Sequence, residues 1–349
     1  MGKGGVNIFL NTEQVEKNIA WLLGNGSAPV MYLTHKHLLG TPDDSELMRK
    51  LWDEVENSPD VQEIFSKQEE DGSWCSGGSW AQKHTYIPKF GYDPLIPKYV
   101  TTVWVLPFLG EIGYTARDQR VRRACDYVLS HSYFRYPVFN KALDDINLTS
   151  IGPRLNPCRL SHYMIALGSV GCTDDVKVEK GYKVLLCMQH EDGGWVWPVH
   201  YEKKNWTRSC PYSSYHHAAA FYYSRNPAYQ EVLARGLKFI VWHLSTKGAH
   251  EIQRFFYHGH SIVHELLMLS EFGVGLQEKA VKTILEWLMT MYDGEHGCFR
   301  YNGKPVSKYS LRQDYMDSRV AKYRLYHLIE TDWLTYHVTR IAKNLIERR

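Results

Sequence analysis

Cysteine and histidine recur together at three places in the chain. Cys158 and His162 stand four residues apart, Cys210 precedes His216 and His217, and His258, His260, His264 and Glu265 form a third group. The i, i+4 spacing of Cys158 and His162 sets both on one face of a helix. Two chemistries suit these residue types. Thiolate and imidazole are preferred zinc ligands, and Cys158, Cys210 and His216 with His260 or His258 would supply a tetrahedral set. In the other reading, His216 or His217 is a general acid/base, because imidazole titrates near neutrality, and Asp314, Asp317 or Glu265 orients it. Packing competes with both. A cysteine is often a small buried hydrophobe, a histidine near a helix start can bond backbone, and Asp314 and Asp317 have Arg312 and Arg319 beside them for surface ion pairs. The candidate catalytic residues are His216, His217, His260 and Asp317. The candidates for contacting a substrate are Tyr99, Trp104, Cys158, His162, Cys210, Tyr215 and His258. No metal or cofactor is assigned.

These residues fall where helices begin. Two segments share Gln-x-Glu-Asp-Gly-x-Trp, Gln68 to Trp74 and Gln189 to Trp195, and each follows an apolar stretch of helical period. The motif therefore closes a helix. Weaker copies lead to Gly248 and to Gly297 and Phe299, and the helix Val121 to Leu129 ends without the glycine. Between them lie helices ending in Leu-Gly or Phe-Gly, at Gly110, Gly168 and Gly273, where glycine would supply the left-handed residue that stops a helix. Asp118, Asp174 and Gln277 then open the next helix. A period of ~50 to 60 residues predicts helical-hairpin repeats. The first helix of each pair is apolar nearly all round, as in Val100 to Phe108; the second carries charge on one face, as in Arg117 to Arg123. That pattern predicts inner and outer helices.

Composition narrows the partners. The 41 Lys+Arg nearly balance the 38 Asp+Glu, so nothing favours nucleic acid. No run of ~18 apolar residues is free of charge, which leaves peripheral membrane contact at most. Seven cysteines, an odd number without a leader-like start, fit reduced thiols and a cytoplasmic setting. The 24 Tyr, 11 Trp and 12 Phe are ordinary core residues or the lining of a cavity, Tyr163, Tyr222, Phe255 and Phe256 among them.

The Gln-x3-Gly-x-Trp signature resembles the QW repeat of squalene-hopene and oxidosqualene cyclases. Over about residues 60 to 315 the chain also resembles single-ring proteins of the squalene-cyclase-like and prenyltransferase-like kind, through Pro97 to Trp104, Asn156 to Cys158, Ser209 to His216 and Gly303 to Lys308. The resemblance implies an all-α fold, an α/α toroid of about six helical hairpins. Residues 1–349 would form one domain, with 1–58 and 316–349 closing or flanking the ring. It also implies a terpenoid-cyclase-like enzyme holding a hydrophobic, isoprenoid substrate in the central cavity. Alternatives are a non-catalytic ring that binds lipid or protein, and zinc-dependent prenyl transfer or a lyase reaction on the same scaffold. Two family motifs are missing. The acid of Asp-x-Asp-Asp is replaced in the stretch Lys98 to Thr102, and no Asp-x-Cys zinc set is found.

Overall fold

The computed structural model describes residues 11–74, 86–87, 91–92, 101–152, 155–196, 208–253, 256–257, 260–301 and 330–348. Helices dominate them, and the fold is all-α. The chain opens with α1 (Thr12–Asn25), α2 (Ala28–Leu33) running into a π-helix (Thr34–Leu39), α3 (Glu46–Glu56) and α4 (Pro59–Ser66). After the hairpin β1–β2 (Tyr86–Ile87, Gly91–Tyr92) come α5 (Thr102–Ile112), α6 (Gln119–Ser130), four short 3-10 turns, α7 (Pro157–Ser169), α8 (Val176–Cys187), α9 (Pro211–Ser224) and α10 (Gln230–Ser245). The rest comprises α11 (Ala249–Ile252), the hairpin β3–β4 (Phe256–Tyr257, His260–Ser261), α12 (Ile262–Glu271), α13 (Lys279–Met289), the hairpin β5–β6 (Tyr292–Asp293, Cys298–Phe299) and α14 (Thr331–Glu347). Two compact units result: a middle unit, Lys67–His243, and an end unit that joins Met1–Ser66 to Leu244–Arg349.

In the middle unit the two kinds of helix alternate. Every residue of α5 except Gly110 and Glu111 is buried, and α7 and α9 are buried over most of their surface. By contrast α6 buries only Val121, Ala124, Cys125, Val128 and Leu129, a single stripe beneath its arginines. Asp118 caps α6 through the backbone amides of Arg120 and Val121, and Asp175, one residue past the expected Asp174, caps α8. Glu278 takes the place expected of Gln277 before α13, without a side-chain cap.

The all-buried helices of this unit run side by side in one direction. Cys158 meets Ser213, His162 meets His216, and Gly168 lies against Tyr223, so contacts between α7 and α9 advance in step. Trp104 against His162 and Gly110 against Ser169 show the same for α5 and α7. Gly110 and Gly168 do not end their helices, contrary to the expectation from sequence. The left-handed glycines are Gly113 and Gly171, with φ of 123° and 67°, whereas Gly273 is left-handed as expected. What Gly110 and Gly168 provide is close approach. A Cβ on Gly110 would strike the Ser169 backbone, and one on Gly168 would sit 2.6 Å from the Tyr182 hydroxyl. That hydroxyl, from α8, lies 3.3 Å from the carbonyls of both Met164 on α7 and Ala220 on α9, fastening an outer helix to two inner ones.

The two strict motifs fold alike. Gln68 Nε2 donates to the Gly72 carbonyl at 2.9 Å and to Arg120 O of α6 at 2.8 Å. Gln189 Nε2 does the same to Gly193 O at 2.9 Å and Val232 O of α10 at 2.8 Å. Gly72 and Gly193 have φ of 86° and 87°, and a Cβ on either would lie 2.5 Å from the carbonyl oxygen of Arg123 or Arg235. Glycine is needed there twice over, for its left-handed backbone and for the contact. The tryptophan amides then reach forward to the next inner helix, Trp74 N to Thr102 Oγ1 at 3.0 Å and Trp195 N to Ser214 Oγ at 2.8 Å. In the end unit Phe299 N donates to Thr335 Oγ1 of α14 at 2.8 Å, so the weaker copy at Gly297 keeps this tie. Gly248 does not. Its φ is −74°, and it opens α11 rather than closing a motif turn.

Candidate functional site

Asn156 and Cys210 occupy the N-cap positions of α7 and α9, each followed by proline at the first helical position, where a missing N–H costs nothing. From those prolines the two helices count alike: Pro157 is followed by His162 and Pro211 by His216, both as Pro-x4-His. Because α7 and α9 are parallel and in register, equal counts become neighbours in space. The His162 and His216 rings pack 4.2 Å apart, and Trp104 of α5 lies 4.8 Å beyond His162. Tyr212 meets His216 edge-on at 4.4 Å and Tyr215 does so at 5.4 Å. Trp104, His162, Tyr215 and His216 are buried, while Cys158, Arg159, Cys210 and Tyr212 at the helix starts are half-buried. The cluster thus grades from partly accessible thiols and phenol to nearly enclosed imidazoles.

Its electrostatics follow from that burial. Desolvation, with a smaller contribution from Cys210, pushes the Cys158 thiol up to about 11, so at neutral pH Cys158 is a neutral thiol that donates to Ser213 Oγ at 3.3 Å. Cys158, Cys210 and His216 do not bring their ligand atoms within 4.8 Å of one another. Tilted and edge-on rings of Trp104, Tyr212 and Tyr215 thus pack against the two imidazoles.

Adjacent His217 points elsewhere. One residue further round α9, its fully buried ring stacks on Trp195 at 5.5 Å. Nδ1 lies 2.7 Å from the Ser213 carbonyl, which can only accept, so the proton is on Nδ1. Nε2 has no hydrogen-bond partner among the described residues. Burial, countered in part by the Ser213 carbonyl, lowers this histidine to about 4, and it is neutral at pH 7. His217 therefore belongs to the wall formed with the motif tryptophan.

The other expected residues divide as follows. His260 lies in β4 of the end unit, where its backbone pairs with Tyr257. Glu265 is buried on α12 of the same unit. Tyr99, Phe255, His258, Asp314 and Asp317 lie outside the described residues. Tyr163 turns away from His162 into a cluster with Tyr133, Phe134 and His131, its hydroxyl 3.1 Å from His131 Nδ1. Tyr222 is covered by Arg225, 4.7 Å above its ring. Sequence reasoning overlooked Tyr212 and Ser213, although the repeated Pro-x4-His would have located both. No protein-family model, curated protein or solved structure matches the chain.

Proposed function

We propose that the chain is a terpenoid-cyclase-like enzyme built as an α/α toroid, and that a hydrophobic, isoprenoid substrate is held against the aromatic and imidazole cluster at the starts of α5, α7 and α9. The observation carrying this reading is the in-register contact of Trp104, His162 and His216 on three parallel, almost wholly buried helices. In it, Trp104, Tyr212 and Tyr215 present π faces to the ligand, and His216, with His162 beside it to share positive charge, is the general base for a proton leaving the ligand. No helix among the described residues is long and apolar enough to cross a membrane, and the six described cysteines are free. The free thiols are compatible with a cytoplasmic setting, which we propose for the protein.

The test is incubation of purified protein with linear isoprenoids, both hydrocarbons and diphosphates, and mass-spectrometric search for new products. Wild type should convert at least one of them, and His216→Ala should bind it but lose turnover. A second reading, a non-catalytic lipid-binding ring, draws support from the missing Asp-x-Asp-Asp acid. In that case the bound isoprenoid is recovered unchanged from wild type. If neither binding nor conversion is seen across the panel, both readings fail.

A further inference from the structure

The end unit carries an imidazole pair of its own. Helix α9 reads Tyr212-Ser213-Ser214-Tyr215-His216 and α14 reads Trp333-Leu334-Thr335-Tyr336-His337, the same order of aromatic, hydroxyl, tyrosine and histidine. Ser214 and Thr335 are the hydroxyls that accept the amides of Trp195 and Phe299, so His216 and His337 each stand two residues past that tie. The neighbouring helix repeats as well. On α7, His162 meets His216, and Gly168, six residues on, meets Tyr223, seven past His216. On α12, His264 meets His337, and Ser270, six residues on, meets Asn344, seven past His337. Helices α12 and α14 are therefore parallel and share the register of α7 and α9.

What differs is how the rings meet. His162 and His216 lie 4.2 Å apart with their planes tilted at 49°, whereas His264 and His337 lie 5.1 Å apart at 84°. One ring nitrogen of His264 comes within 4.8 Å of one of His337. Zinc–imidazole bonds of ~2.1 Å at a tetrahedral angle set two ring centres about 5 Å apart, which is the spacing found. His337 is fully buried, stacked on Trp333 at 5.9 Å and flanked by Tyr336 at 5.2 Å, so its ring is already held in place for an ion. His264 is half-buried, which leaves an approach from solvent.

We propose that His264 and His337 bind a divalent transition-metal ion, zinc or a first-row neighbour such as cobalt, through one nitrogen of each ring. Imidazole suits these metals, and two protein ligands leave the other positions to water or a small ligand. The ligands differ from the cysteine-containing set expected from sequence. Binding at this pair requires no isoprenoid, so it stands or falls separately from the cyclase reading.

The full chain would be stripped of metal with a chelator and titrated with zinc by equilibrium dialysis, with cobalt as the spectroscopic substitute. Wild type should hold one zinc per chain, and its cobalt form should show visible d–d bands without the near-ultraviolet charge-transfer band of a thiolate ligand. His264→Gln and His337→Phe, the latter still able to stack on Trp333, should each weaken zinc binding at least about tenfold, since a lost ligand costs no less than a lost outer-shell partner. Zinc should raise the unfolding midpoint of wild type but not of these two variants. His296→Gln, which removes an exposed imidazole beside Asp293, should bind zinc as wild type does. The proposal is overturned if wild type binds no zinc, if the cobalt spectrum shows a thiolate ligand, or if both ligand variants with native helicity bind as tightly as wild type. Loss of binding in His296→Gln alone would equally overturn it, as the mark of an adventitious ion only.

Discussion

His217 should make the protein acid-sensitive by an amount that can be worked out. Its ring is neutral in the folded chain, with its folded pKa lowered from 6.5 to about 4 by burial against Trp195. Protonation would place an N–H on Nε2, which has no acceptor among the described residues. The unfolded chain takes up the proton near 6.5 and the folded chain only near 4. Stability is therefore complete above pH 6.5, falls as pH drops through the window, and levels off below about 4. Lowering the pH from 7 to 5 should cost about 2 kcal/mol, a roughly twenty-fold change in the unfolding equilibrium.

Urea unfolding of wild type and His217→Phe at half-unit steps between pH 7.5 and 4.5 isolates this contribution. Phenylalanine can still stack on Trp195 and has nothing to titrate, so the variant's curve should be flatter by that amount. The difference matters because burial also lowers His35 and His190, which add a slope of the same sign in both proteins. Equal pH dependence in the two proteins would refute the reasoning, since it would mean that the ring reaches water or finds an acceptor.

Gly193→Ala should lose at least ~1 to 3 kcal/mol, because alanine must adopt φ of 87° with its Cβ 2.5 Å from Arg235 O, whereas Gly152→Ala meets nothing within 4 Å and should melt within a degree or two of wild type. Trp195→Ala, removing a fully buried indole that donates to Leu185 O at 2.9 Å, should cost ~3 to 5 kcal/mol by thermal or urea unfolding. Tyr182→Phe removes the hydroxyl between Met164 and Ala220 and should cost about 1 kcal/mol without changing helicity.

How much of this was legible depended on whether the determining contact was local. Asp118 capping α6 and the apolar stripes of the outer helices are set by neighbours in sequence, and both were readable. Gly110 and Gly168 were misread because glycine after leucine looks like a helix stop, while their real partners, Ser169 and Tyr182 with Tyr223, come from other elements. His216 and His217 looked interchangeable in sequence. A single helical step of ~100° sends one toward His162 and the other toward Trp195, and only the neighbouring helices decide which is which. The Pro-x4-His repeat held the register of the cluster in plain view, but it acquires meaning only once α7 and α9 are known to be parallel.

The end unit extends the repeat to the two ends of the chain. In the middle unit, each strict motif docks on an outer helix that follows it in sequence, α6 or α10, and ties its aromatic amide to an inner helix. The copy at Gly297 ties Phe299 to α14 in the same way, but the helix on which it docks is α1. A Cβ on Gly297, whose φ is 76°, would lie 2.7 Å from Lys17 Cγ. The motif glutamine is also replaced, by Asp293, which turns to Arg300 and His296. The amide that Gln68 and Gln189 bring to their own glycine carbonyls comes here from the opposite side. Asn18 of α1, fully buried, satisfies both ends of its amide when its nitrogen donates to Gly297 O at 3.1 Å and its oxygen accepts from Thr339 of α14 at 3.1 Å. Helix α1 therefore stands to α14 as an outer helix stands to its inner partner, although they come from opposite ends of the sequence. Within the end unit the two helices thus pack as a hairpin whose members are far apart in sequence, Asn18 and Thr339 bonded between them.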